Sequence, residues 1–255
     1  MKVETIKKGK KNTYILTIDK KKFVLYDDLI VKYCLLPKKE LTIKELESIQ
    51  KENNNLEAYY VALKLIANRL RTKKEIKNSL SKKEFPASSI QNAIEKLEKE
   101  GYIKEENYIK AYLNDAFHFS NDGPYKIKRK LVDLGNSEEK IENELNNISK
   151  KDWLQKLEKL FSKKATSNHK EGINKWRPKC EMYFYNLGYP KDWIEEISQK
   201  QVWEEQKNLI EKEYNKLYQK WSRKLRGEEL KFQLKRKLYE KGFTKEQIQQ
   251  LLENK

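Results

Sequence analysis

The chain has 255 residues, with 56 Lys and Arg against 39 Asp and Glu, which gives a net charge of +17. Hydrophobic residues at 37% are few for a compact globule, while aromatic residues at 11% argue against disorder. No apolar run reaches the ~18 residues of a transmembrane helix, and the first residues lack the apolar centre of a signal peptide. Two widely separated cysteines, Cys34 and Cys180, favour a reducing compartment, and we expect a cytoplasmic protein with no membrane contact.

The N-terminal region, residues 1–57, differs in pattern from the rest of the chain. Alternating apolar residues from Tyr14 to Ile18, a polar loop at 19–22 and an apolar run from Phe23 predict a β-hairpin. Because a lone hairpin is marginally stable, we expect it to pack on the first helices. Thr42 and Glu45 form a capping-box pattern that predicts a helix start. The polar run at 51–57 predicts that this helix ends before another begins near residues 56–58.

From residue 58 onward the pattern is helical and repeats four times. In each copy two apolar anchors lie four residues apart, on one helix face, and a third anchor lies ten residues beyond the second. The third anchors of successive copies are 51, 53 and 54 residues apart. The anchors are Ile76, Leu80 and Ile90; Ile127, Leu131 and Ile141; Cys180, Phe184 and Ile194; and Leu234, Leu238 and Ile248.

Each copy is predicted to be a module of three helices. Glycine follows the second anchor at Gly135, Gly188 and Gly242, where it permits the left-handed conformation that ends a helix. Glu84 stands there in the first copy, so we expect that turn to be built differently. The predicted fold is mainly α: tandem three-helix repeats forming an elongated curved body, with a small N-terminal β-hairpin. The predicted divisions are residues 1–57 for the N-terminal region, 58–106 for module 1, 107–150 for module 2, 151–202 for module 3 and 203–255 for module 4.

Basic residues recur at the second helix of each module and predict a surface for a polyanionic partner, whether protein or nucleic acid. The alternative is that they are solvated helix faces. Trp176 is the aromatic residue predicted to be exposed, in a loop-like segment, whereas Trp153, Trp193 and Trp221 are predicted to be core. The predicted binding residues are Arg69, Arg71, Lys73, Lys74 and Lys77; Lys126, Lys128, Arg129 and Lys130; Lys175, Trp176 and Arg177; and Lys235 and Arg236.

No pattern in the chain indicates catalysis. The two histidines, His118 and His169, and the two cysteines do not have the spacing of a zinc site. There is no glycine-rich phosphate loop and no nucleophile elbow. The predicted third helices are acidic or mixed and poor in residues that read base edges, which argues against sequence-specific DNA recognition. We therefore predict a non-enzyme with no cofactor and no metal.

A run of motifs within residues 58–148 matches a known family. The motifs are Arg71-Thr72, Glu75-Ile76, Gly101-Tyr102-Ile103, Ala111-Tyr112, Gly123-Pro124, and Leu131 with Gly135. On these motifs the chain resembles the RecX family of recombination regulators. The N-terminal hairpin and the Lys-, Asn- and Ile-rich composition resemble members from low-GC Gram-positive bacteria.

The resemblance implies a modulator of the RecA recombinase. Such proteins bind the groove of the RecA–DNA filament, inhibit its growth, and thereby damp strand exchange, ATP hydrolysis and the co-protease activity behind the SOS response. The expected partners are the RecA filament and, weakly and non-specifically, single- and double-stranded DNA, with the protein a monomer. Glu84 and the long segment 162–175 depart from the family pattern and suggest modulation that is not purely inhibitory. Two alternatives stay open: a non-specific DNA-binding protein acting without RecA, and a helical scaffold for another acidic partner.

Overall fold

The computed structural model describes residues 1–167, 170–203 and 209–253. Within these ranges three β-strands precede thirteen helices. The strands are β1 (Val3–Lys8), β2 (Thr13–Ile18) and β3 (Lys21–Tyr26). The helices are α1 (Asp27–Lys32), α2 (Ile43–Asn68), α3 (Lys73–Ser81), α4 (Ala87–Lys99), α5 (Glu105–Phe119), α6 (Pro124–Asp133), α7 (Glu138–Asn146), α8 (Lys150–Ala165), α9 (Ile173–Asn186), α10 (Lys191–Lys200), α11 (Leu209–Trp221), α12 (Gly227–Glu240) and α13 (Lys245–Glu253).

The predicted hairpin is confirmed as β2 and β3, and it belongs to a three-stranded antiparallel sheet in the order β1-β2-β3. The residues of its tight turn, Asp19 and Lys20, both have positive φ, which suits the right-handed twist of a two-residue hairpin loop. Strand β1 was not predicted, because it is mostly polar and exposed. Leu16 and Leu25 are buried against α1 and the N-terminal half of α2, so the sheet packs on the first helices as expected.

Helix α2 is a single helix of 26 residues. The predicted capping box at its start is present, since Glu45 N–H donates to Thr42 Oγ1 at 3.2 Å and Thr42 N–H donates to the Glu45 carboxylate at 2.8 Å. The predicted interruption at 51–57 is wrong. Asn53, in the middle of this polar run, accepts from Tyr26 N–H at 3.1 Å and donates to the Val24 carbonyl at 3.1 Å, so the run is polar because it borders the sheet.

The three-helix organisation of the repeats is confirmed. Module 1 contains the C-terminal part of α2 with α3 and α4, and the later modules contain α5–α7, α8–α10 and α11–α13. All twelve predicted anchors are buried, with at most 5% of any side chain exposed. Burying one side chain of this kind stabilises the fold by roughly 1.5–3 kcal/mol. Their spacing is therefore the strongest signal in the sequence.

The turn after the second helix has the same geometry in all four modules. The residue at its centre has positive φ in each case: 63° at Glu84, 88° at Gly135, 86° at Gly188 and 91° at Gly242. The next amide donates to the carbonyl of the second anchor, as from Phe85 to Leu80 at 3.4 Å, in the pattern of a glycine-terminated helix. The expectation that the Glu84 turn is built differently is therefore wrong. The first module has the same left-handed turn, in a conformation that costs a residue with a side chain about 1–2 kcal/mol.

By compactness the chain divides into two units. The first comprises Met1–Ala111 with Leu131–Ser137, and the second comprises Tyr112–Lys130 with the chain from Glu138 onward. The predicted boundary between residues 57 and 58 falls inside α2. The predicted break at 201–205 lies partly outside the described residues. The division into modules at 106/107 and 150/151 stays a prediction.

Candidate functional site

The two predicted arginines of module 1 lie just after the C-terminal end of helix α2. The Arg69 guanidinium pairs with Glu75 at 2.6 Å. Arg71 Nε donates to the Leu65 carbonyl at 3.0 Å. Carbonyls in the last turn of a helix lack helical partners, and a guanidinium satisfies one of them here. Both arginines therefore have structural contacts, although Arg69 stays exposed.

The three predicted lysines of module 1 differ in their contacts. Lys73 forms an ion pair with Glu98. Lys74 Nζ donates to the Asp133 carbonyl at 2.8 Å, and a Cβ placed on Gly135 would lie 3.0 Å from Lys74 Cβ. Lys77 is exposed and has no ion pair within the described residues.

In module 2 a buried carboxylate gathers two of the predicted lysines. Asp122, 8% exposed, pairs with Lys126 at 2.8 Å and with Lys130 at 2.5 Å. Burial alone would raise the pKa of Asp122, but the hydrogen bonds from the two ammonium groups outweigh it and leave the pKa below its usual value. Both lysines are therefore engaged in contacts inside the module, and the one carboxylate offsets half of their combined charge.

The Asp122 cluster predicts a specific loss of stability in acid. A carboxyl whose pKa is lowered by folding stabilises the folded state above its unfolded pKa of about 4, and this contribution disappears as the pH falls through the lower folded pKa. We expect Asp122→Asn to lower the free energy of unfolding by roughly 1–2 kcal/mol at pH 7 and to flatten its pH dependence below pH 4. Urea unfolding followed by circular dichroism across pH measures both. The exposed Asp115 supplies the control: a loss as large in Asp115→Asn would contradict this account.

The other two predicted cations of module 2 have opposite environments. Lys128 lies between Glu142 at 2.6 Å and Glu138 at 3.3 Å. Arg129 is exposed and has no ion pair within the part of the chain that the structure describes. Of the four predicted cations of module 2, Arg129 alone is exposed and without an ion pair among the described residues.

In module 3 the structure corrects the placement of Trp176. Trp176 lies inside helix α9, not in a loop, and its side chain is half-buried. Trp176 Nε1 donates to the Ala165 carbonyl at 3.0 Å, and Lys164 Nζ lies 5.2 Å from the ring centroid. These contacts hold the indole against α8, so Trp176 is not the freely exposed stacking residue that was predicted. The neighbouring Lys175 is exposed.

The predicted Arg177 belongs to a polar network of module 3. Arg177 Nε donates to Glu181 at 3.0 Å and to Ser198 Oγ at 2.9 Å. The Ser198 hydroxyl, fully buried, donates to the same carboxylate at 2.5 Å. The network ties α9 to α10, which favours a structural role for Arg177.

In module 4 the predicted cations lie beside two aromatic residues that sequence reasoning missed. Lys235 is exposed, and Arg236 pairs only at 3.7 Å with Glu240. Phe232 and Tyr239 are 67% and 57% exposed on the same helix, α12. The sequence could have indicated both aromatic residues, because they do not lie on the helix face of the buried anchors Leu234 and Leu238.

The second helices of modules 2, 3 and 4 meet head to tail through backbone hydrogen bonds. At the start of α6, Gly123 N–H donates to the Leu187 carbonyl at 2.7 Å and Tyr125 N–H donates to the Gly188 carbonyl at 3.1 Å. These carbonyls end helix α9, so the positive end of one helix dipole faces the negative end of the next. A Cβ on Gly188 would lie 2.4 Å from the Lys126 nitrogen, which leaves room for glycine alone.

The junction between modules 3 and 4 has the same construction. Gly172 N–H donates to the Lys241 carbonyl at 2.9 Å, and Asn174 N–H donates to the Gly242 carbonyl at 3.2 Å. A Cβ on Gly242 would lie 2.8 Å from the Lys175 nitrogen. The repeated glycine therefore has two roles. It ends one helix, and its lack of a side chain allows the backbone of the preceding module to approach closely.

Four predicted cations remain exposed and without an ion pair among the described residues. They come one from each module, and we call them the free cations: Lys77, Arg129, Lys175 and Lys235. The structure thus separates the predicted binding set into free cations and cations with intramolecular partners. Of the predicted core tryptophans, Trp153 is buried at 3% exposure, whereas Trp193 and Trp221 are half-buried.

His118 and the two cysteines form no metal site within the described residues. His118 Nδ1 lies 2.8 Å from the Asn114 carbonyl one turn earlier in α5, and His169 lies outside the described residues. Within the described ranges, no three His, Cys, Asp or Glu side chains come together in a way that could hold a metal ion. Among the described helices none combines the length and apolarity needed to cross a bilayer.

Comparison with known proteins finds relatives in the RecX family. The family model for the first three-helix domain of RecX matches residues 58–97. The chain is 30% identical to the regulatory protein RecX of Streptococcus uberis over 99% of its own length and 98% of the relative's. It is 25% identical to that of Oceanobacillus iheyensis, over 98% of this chain and 95% of the relative.

Solved structures share the fold. A crystal structure of regulatory protein RecX superposes with a TM-score of 0.68 at 20% identity, covering 78% of this chain and 98% of that one. RecX from Lactobacillus salivarius superposes with a TM-score of 0.54 at 25% identity, covering 58% and 97%. Since the relative from Streptococcus uberis matches end to end at 30% identity, the chain belongs to the RecX family of regulatory proteins.

Proposed function

We propose that this protein regulates the RecA recombinase by binding the RecA–DNA filament and restraining its growth. The observation that carries the proposal is the match to relatives named regulatory protein RecX over nearly the full length of both chains. The action is proposed to take place in the cytoplasm, by a monomer. Strand exchange and SOS co-protease activity would fall together, since both need the filament.

The distribution of positive charge supports binding of an acidic macromolecule. The chain has a net charge of +17, and among the predicted binding residues each module contains one free cation. Positive charge in every module attracts an oppositely charged partner and steers its approach. This arrangement suits a long polymer such as a nucleoprotein filament.

ATP hydrolysis by RecA on single-stranded DNA tests the proposal. We expect hydrolysis to fall when the protein is added below or near equimolar amounts, because filament growth is limited. No change at equimolar protein would contradict the proposal.

The competing function, non-specific DNA binding without RecA, predicts that inhibition fades between low and physiological salt along with binding to naked DNA. Inhibition that persists at a salt concentration where naked DNA is no longer bound supports RecA contact.

A further inference from the structure

A groove of about 430 Å³ lies between helices α12 and α13 of module 4. It is lined by two aromatic residues, three cations, Ile248 and Gln249. The aromatic residues and cations are Phe232, Lys235, Arg236, Tyr239 and Lys245. This combination of exposed rings and positive charge is not used by the fold, because the core of the module is made by other residues.

The four groove residues on α12 occupy one face of the helix. Phe232, Lys235, Arg236 and Tyr239 are spaced at three, four and seven residues, which places them in line. At a rise of 1.5 Å per residue the two aromatic residues lie about 10 Å apart along the helix. The two cations fall between them, so ring, charge and ring alternate along the groove.

The charge of the groove is mostly uncompensated. Among the described residues that line it there is no carboxylate. Lys235 and Lys245 have no ion pair within the described ranges, and Arg236 reaches Glu240 only at 3.7 Å. Phe232 and Tyr239 are more than half exposed, although large apolar rings are normally covered. A ligand that is both anionic and flat would satisfy all of these groups.

We propose that this groove binds single-stranded nucleic acid, with bases stacked on Phe232 and Tyr239 and phosphates held by Lys235, Arg236 and Lys245. Stacking on aromatic side chains beside a basic groove is the usual means of binding unpaired strands without sequence preference. In a duplex the bases are stacked on one another and cannot reach the rings. An acidic peptide would match the cations but leave both ring faces uncovered. The identification of the strand as DNA rests on the proposed function; the binding itself does not.

Fluorescence anisotropy of a labelled oligothymidylate, measured without RecA, tests the groove. We expect the variant with Phe232→Leu and Tyr239→Leu to bind the single strand about tenfold or more weakly, since each stacked base contributes appreciably to affinity. Duplex binding should change by less than about twofold. The variant with Lys235→Gln and Arg236→Gln should reduce the slope of log affinity against log salt by about 1.4, since each lost phosphate contact on a single strand lowers it by about 0.7.

The controls use matched positions outside the groove. Tyr185→Leu removes a ring that is 59% exposed on α9, and Lys191→Gln with Lys200→Gln removes two exposed charges on α10. Either control losing as much single-strand affinity as the groove variants would overturn the assignment. Equal losses on duplex and single strand would also overturn it, as would a poly-glutamate peptide that binds with the same dependence on Phe232 and Tyr239. Because RecA is absent, a failure here leaves the proposed RecA contact to be judged separately.

Discussion

Replacing Gly188 by alanine is expected to cost about 3 kcal/mol or more, a large share of the 5–15 kcal/mol that stabilises a typical domain. The added Cβ would lie 2.4 Å from the Lys126 nitrogen, so α6 must move. That movement would break the two hydrogen bonds from Gly123 and Tyr125 into the end of α9. The left-handed φ of 86° adds about 1 kcal/mol of strain. Urea unfolding followed by circular dichroism measures the loss.

Gly227 provides the matched control for this prediction. It also has a positive φ, 57°, but a Cβ there would meet nothing within 4 Å. Gly227→Ala should therefore show only the conformational strain, about 1 kcal/mol. If both variants lose the same stability, the head-to-tail junction contributes little. Gly242→Ala, with 2.8 Å to the Lys175 nitrogen, should resemble Gly188→Ala.

Reversing two free cations, with Lys77→Glu and Arg129→Glu, is expected to raise the concentration of protein needed to inhibit RecA by about tenfold. Each change replaces attraction for an acidic partner with repulsion, and about 1.4 kcal/mol in total is enough for that factor. Both side chains are exposed and have no ion pair within the described residues, so folding should be unaffected. RecA-catalysed ATP hydrolysis on single-stranded DNA, titrated with each variant, measures the shift.

The control for charge reversal changes net charge equally at other sites. Lys191 and Lys200 are exposed on α10 and are paired with Glu195 and Glu196 on the same helix. Lys191→Glu with Lys200→Glu should inhibit nearly as well as the parent protein. Equal losses in the two variants would mean that net charge alone governs binding, and that the free cations are not a specific contact surface.

The anchors of the repeats could be predicted from sequence because burial imposes a strict spacing. Residues such as Ile76 and Leu80 must share one helix face, and the left-handed turn must follow at a fixed distance. The prediction at Glu84 failed because it inferred conformation from residue type. The surrounding turn repeats the hydrogen bonds of its glycine counterparts and imposes φ of 63° on a glutamate.

The division of cations into free and paired could not be predicted in the same way. The partner of Lys74 is a carbonyl 59 residues away, and that of Lys73 is a glutamate on the next helix, Glu98. Such pairings depend on how helices pack, and local patterns do not encode them. The polar run around Asn53 was misread for a related reason, since its hydrogen-bond partners lie on strand β3.

Co-sedimentation with preassembled RecA filaments on single-stranded DNA tests the central proposal most directly. At physiological salt we expect the protein to pellet with the filament in a saturable manner, at concentrations where it no longer binds the same DNA without RecA. The Lys77→Glu and Arg129→Glu variant should pellet more weakly, and the Lys191→Glu and Lys200→Glu variant should pellet like the parent. If the protein pellets with filaments no more than with naked DNA, it does not regulate RecA by binding the filament.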